Sequence, residues 1–150
     1  MAKSAKKFKD SDADFRKICA DIAARNFSPV YLLMGEEPYF IDVICDKLAN
    51  GILNEAERAF NQIVVYGRDT DGATIADQCR QVPMLGQYTV VIVKEAQAMP
   101  QLEQLAAYTA HPVPSTIYHN LIKCPLGLIE NTACQLVADY IYKVWLLAHK

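Results

Sequence analysis

The chain has 150 residues, 52% of them hydrophobic and 21% charged, which excludes an intrinsically disordered polypeptide and points to one folded domain, with or without an appendage. No stretch approaches the roughly 18 uninterrupted apolar residues of a membrane span. Fifteen Lys and Arg against 17 Asp and Glu leave a formal net charge of −2, without the basic excess of a protein that holds nucleic acid over a broad face.

Residues Met1 to Lys9 are basic but lead into Asp10, Asp12 and Asp14 rather than an apolar core. They are not a secretory signal, and the cytoplasm is the expected location. Lys3, Lys6, Lys7 and Lys9 can touch phosphate, but residues 1–11 read first as a flexible, solubilising tail. From Ser11 or Asp12 to about Arg25, Phe15, Ile18, Cys19, Ile22 and Ala23 recur at helical spacing, with Asp12 placed to cap the start. Pro29 disfavours helical geometry at Ser28 and ends this helix.

Val30 to Met34 is apolar on both faces, as in a strand buried inside a sheet, and Gly35 closes it. Pro38 suits the first turn of a helix, whose inward face carries Tyr39, Phe40, Val43, Ile44 and Leu48 as far as Asn50-Gly51. Ile63 to Tyr66 reads as a second strand and Gly72 or Ala73 to Arg80 as a helix, broken by Pro83. Tyr88 to Val93 is a β-branched third strand. Met99 to Tyr108 supports another helix, and Ser115-Thr116-Ile117 starts a fourth strand. Tyr31, Tyr39 and Tyr66 fall in or beside core elements and are expected to be mostly packing residues. Strands alternating with helices imply crossovers and a parallel sheet covered on both faces, an α/β domain over residues 12–122. After Ile117 the apolar pattern degrades at Tyr118-His119-Asn120. A long helical pattern then runs from about Ile129 to His149, so residues 123–150 form a carboxy-terminal helical segment with an unpartnered apolar side.

The site that such a fold most often carries is absent from the sequence. A phosphate-cradling loop needs glycines that expose N–H groups, a Lys for the β- and γ-phosphates, and a Ser or Thr for magnesium. Here Gly35-Glu36-Glu37-Pro38 supplies none of the last two, and its glutamates stand where phosphate oxygens would lie. The loop therefore reads as degenerate, with no nucleotide-binding residue. Lys94-Glu95 replaces the paired carboxylates that could hold magnesium. The five cysteines, Cys19, Cys45, Cys79, Cys124 and Cys134, contain no C-x-x-C pair, and His111, His119 and His149 are scattered. Reduced thiols, no metal centre and no cofactor are expected. His111, beside Pro112, reads as a surface turn residue. No catalytic constellation is assembled, so a binding role is the default and an enzyme is not expected.

The segment Ser28-Pro29-Val30-Tyr31-Leu32-Leu33-Met34-Gly35-Glu36-Glu37-Pro38-Tyr39-Phe40-Ile41-Asp42, the turn Gln81-Val82-Pro83-Met84-Leu85-Gly86, the strand Thr89 to Val93 and Pro114-Ser115-Thr116-Ile117 together resemble the DNA polymerase III delta-subunit family. The resemblance spans about residues 12 to 117. It implies an AAA+-like, P-loop-NTPase-like first domain without a functional phosphate loop. It also implies a non-catalytic clamp-loader subunit of a DNA-directed DNA polymerase (nucleotidyltransferase) holoenzyme. Such a subunit grips the sliding clamp and holds its ring open for loading onto DNA. Its implied partners are the clamp and the ATP-hydrolysing loader subunits, with DNA met only inside the assembled complex and no membrane. By the same resemblance Val82, Met84 and Leu85 are the clamp-binding positions, with Leu85 standing where the family often has an aromatic. By the same resemblance the chain is expected to be truncated or rearranged after about residue 117, without the family's collar domain and with Leu128 to Ile141 faintly similar to a helix of its second domain. Two other readings stand beside this one: an interaction domain that oligomerises through the apolar carboxy-terminal helix, and, with less support, a nucleotide-dependent enzyme.

Overall fold

The computed structural model describes residues 8–35 and 38–123. In chain order these form α1 (Phe8–Ala23), β1 (Val30–Gly35), α2 (Pro38–Gly51), α3 (Glu55–Asn61), β2 (Gln62–Tyr66), α4 (Gly72–Cys79), β3 (Thr89–Lys94), α5 (Leu102–Ala110) and β4 (Thr116–Lys123). The four strands make one parallel sheet in the order β1-β4-β3-β2. The chain crosses from β1 to the far strand, then returns one strand at a time until β4 lies against β1.

Alternation along each strand sends side chains to two cores. Tyr31, Leu33, Val90, Ile92 and Ile117 pack against Ile22 of α1 and Ile41, Ile44, Cys45 and Leu48 of α2. Val91, Val93 and Tyr118 pack on the other face against Ile75, Ala76 and Cys79 of α4 and Leu102, Leu105 and Tyr108 of α5. The expected α/β architecture, a parallel sheet flanked by helices, is present. β3 is buried from Thr89 to Val93, as its unbroken β-branched sequence requires of a strand covered on both faces.

Several expectations are corrected. α1 begins at Phe8, so residues 8–11 are helical rather than part of a flexible tail, and Asp12 lies inside the helix instead of capping it. Nothing between Phe8 and Ser11 breaks a helix. α3 had no sequence expectation at all. α5 starts three residues late because Gln101, just after Pro100, is left-handed at φ 56. β4 does not fade at Ile117 but runs to Lys123. It is bonded on both sides, to β1 and to β3, so strand pairing overrides the polar character of His119-Asn120. Tyr31 is buried as expected, whereas Tyr39 and Tyr66 are exposed. Tyr66 belongs to an edge strand within the described sheet, and Arg68 lies over its ring at 5.7 Å. Residues 1–7, the two glutamates Glu36 and Glu37, Cys124, Cys134 and the helical pattern at 129–149 lie outside the described residues.

Candidate functional site

Among the described residues, the two most exposed large apolar side chains lie on the segment between α4 and β3. Val82 is 82% exposed and Met84 80%, with Leu85 about half exposed. Large apolar groups at that exposure, adjacent in sequence, are what a docking anchor requires. How the segment holds them out is a question of backbone anchoring.

Its first end is fixed at the last turn of α4. The Thr116 hydroxyl donates to the Cys79 carbonyl at 2.7 Å, and the Tyr108 hydroxyl approaches the same oxygen at 3.5 Å. The Val113 N–H donates to the Tyr108 oxygen at 3.3 Å, tying the α5–β4 connection into the same junction. This junction is apolar enough to push both the Cys79 thiol and the Tyr108 phenol up to about 12, through burial above all. Neither group ionises near neutral pH, so Cys79 is a structural thiol rather than a nucleophile.

The middle of the segment is held by α3. Asn61, buried at the end of that helix, accepts from the Met84 N–H at 3.1 Å and donates to the Leu85 carbonyl. Gly86 follows at φ 70, a left-handed value that favours glycine, and a Cβ there would run into the Glu57 carboxyl. Glu57 is itself committed, because it accepts from the Asn54 N–H at 3.0 Å while Asn54 accepts from the Glu57 N–H at 2.8 Å. The far end returns to the core through Tyr88, whose ring meets Phe27 edge-on at 5.8 Å. The segment is thus a pinned loop with free apolar side chains.

The structure places Val82, Met84 and Leu85 together on one exposed segment. Asn61, Glu57 and Gly86, which support them, carried no sequence expectation. A signal existed in the Asn54-x-x-Glu57 spacing of a capping box, but only folding brings Asn61 to a loop 23 residues away.

The connection that its sequence leads one to expect as a degenerate phosphate loop follows β1. Gly35 ends β1 at its carboxyl end, whereas the pinned loop enters the amino end of β3. Only two residues separate β1 from α2, against the four that stand between the two glycines of a phosphate-cradling motif. Among the described residues, no group of three or more His, Cys, Asp or Glu is placed to hold a metal ion, and no helix is long and apolar enough to cross a membrane. His111 is exposed at the end of α5.

The family model for the DNA polymerase III delta subunit matches residues 31–118, which run from β1 into β4. No curated protein sequence matches the chain. Among solved structures, the Bacillus subtilis DNA clamp loader delta protein (YqeN) is similar at a TM-score of 0.74 and 16% identity over 84% of this chain, which shows a shared fold. That match takes in 40% of the Bacillus protein, so the present chain spans well under half of its length. With the family model covering more than half of its residues and the same fold behind it, this chain belongs to the DNA polymerase III delta-subunit family.

Proposed function

We propose that the chain acts without catalysis as the clamp-gripping domain of a delta subunit, seating Val82, Met84 and Leu85 in an apolar pocket of the sliding clamp to hold the ring open for loading onto DNA. The observation that carries this reading is a pair of side chains about four-fifths exposed, Val82 and Met84, on a loop fastened by its backbone at several points. Apolar groups free in water normally collapse onto the protein. A pinned backbone prevents that and leaves them for a partner. Met is adaptable enough to fill an irregular pocket, and central apolar anchors supply most of the energy of many interfaces.

The sequence Glu36-Glu37-Pro38 favours binding over nucleotide chemistry, since it brings negative charge and removes one N–H where a phosphate needs donors. The reading extends to the ATP-hydrolysing loader subunits as partners of the longer family proteins, with DNA met in that assembly, in the cytoplasm. The test is calorimetric titration of the folded chain against the sliding clamp of the same organism, with a Met84→Ala, Leu85→Ala variant in parallel. Loss of two central anchors weakens binding at least about thirtyfold. Wild-type affinity in a folded variant would remove the loop from the interface, and a folded wild-type chain that does not bind would sink the clamp reading.

A further inference from the structure

We propose that Asn61 is a positioning residue for clamp docking: its buried side-chain amide clasps the backbone of Met84 and Leu85 and thereby sets the direction in which their side chains project. The inference rests on the docking role proposed above for that loop.

Asn61 is 1% exposed, and a polar amide is retained at such a site only where its hydrogen bonds are made. Its two ends are used on consecutive residues, the carbonyl oxygen on the Met84 N–H and the amide nitrogen on the Leu85 carbonyl. The side-chain amide thus supplies the donor and acceptor that a neighbouring strand would supply inside a sheet. Four residues earlier on the same helix, the Glu57 carboxyl occupies the space beside Gly86. Residues four apart share a helix face, so α3 meets the loop at two points one turn apart. The capping box at Asn54 fixes Glu57 in turn. An anchor loop held this way loses little conformational freedom on binding, and preorganisation of that kind appears as affinity.

The test uses Asn61→Ala, read by amide exchange and by titration with the sliding clamp. The Met84 amide should exchange at least about tenfold faster while the Val91 and Ile92 amides of β3 stay protected, which certifies the fold. Clamp affinity should fall about tenfold, roughly the loss of one to two hydrogen bonds' worth of ordering. In a Met84→Ala background, where part of the anchor is gone, the same substitution should cost distinctly less, because a residue acting through the loop is not additive with it. Should β3 lose protection, Asn61→Ser, which keeps a small polar group in that space, is read in the same three ways. Unchanged Met84 exchange overturns the clasp whatever the clamp does. Faster exchange with unchanged clamp affinity overturns the positioning role while the Met84→Ala, Leu85→Ala result upholds the docking reading. Full additivity with Met84→Ala overturns it also. A Met84→Ala, Leu85→Ala variant that binds like wild type overturns both, and the exchange data then describe a loop with another purpose.

Discussion

His119 sits in the middle of β4 with no exposed surface, its ring meeting Tyr31 edge-on at 5.5 Å and both nitrogens without a hydrogen-bond partner. Burial alone lowers its pKa from 6.5 to about 3. The native state therefore keeps the ring neutral where the unfolded chain, titrating near 6.5, takes a proton. Stability is fully present above about pH 6.5 and is lost as pH falls from there towards 3. At pH 5 the loss from this residue amounts to about 2 kcal/mol. Urea denaturation at pH 7.5 and pH 5 should show that difference, and His119→Phe should flatten it. The same substitution removes two orphaned polar atoms while keeping an aromatic ring, so it should leave neutral-pH stability equal or higher. A His119→Phe chain with the wild-type pH slope would place the acid sensitivity in other groups.

At the scale of elements, α3 is seven residues long and owes its existence to its first turn. It has little apolar stripe, with Phe60 exposed and only Asn61 buried, so packing contributes less to it than to α2 or α4. Asn54→Ala should therefore cost about 1 kcal/mol in urea denaturation with an unchanged m-value, the ordinary loss for an N-cap. Because Glu57 loses its partner in that variant, amide exchange in the loop at Met84 should also quicken. Stability loss without faster exchange would separate the cap from the loop. Elsewhere the elements are joined by close backbone approach. A Cβ at Gly72 would strike the Gln101 carbonyl, and the Gly72 N–H donates to the Pro100 carbonyl at 3.0 Å. The start of α4 is thus seated directly on the connection that leads into α5.

The whole molecule separates its two ends. At the carboxyl end of β1 two residues lead into α2. At the amino end of β3 the chain presents the pinned apolar loop. Addition of 1 mM Mg-ATP should leave the melting temperature unchanged. A site with a Kd of about 10 µM would add about 2.7 kcal/mol under those conditions, a shift that thermal denaturation reads easily. An ATP-dependent rise would revive the enzyme reading. The chain's share of the Bacillus subtilis protein, 40%, makes loader assembly a property to be tested on longer relatives.

The local pattern of residues determined most of the elements. Pro29, Gly35, Pro38 and Pro83 punctuate the chain by fixed backbone chemistry, and the β-branched Val90–Val93 run reads as a strand, which the structure places inside the sheet. The turn that carries Val82, Met84 and Leu85 also stood out in the sequence through its resemblance, while the exposure of its side chains came from the structure and its docking role is the proposal made above. Tertiary structure decided what depends on distant neighbours. β4 continues through His119-Asn120 because two strands pair with it, and Tyr66 is exposed because the face of β2 that it shares with Val64 is left open. Asn61 becomes a clasp only when Met84 and Leu85 fold back to it, for an asparagine at a helix end has no local feature that names its partner. Periodicity reports burial of apolar faces, whereas the hydrogen bonds of a buried amide are set by the fold that surrounds it.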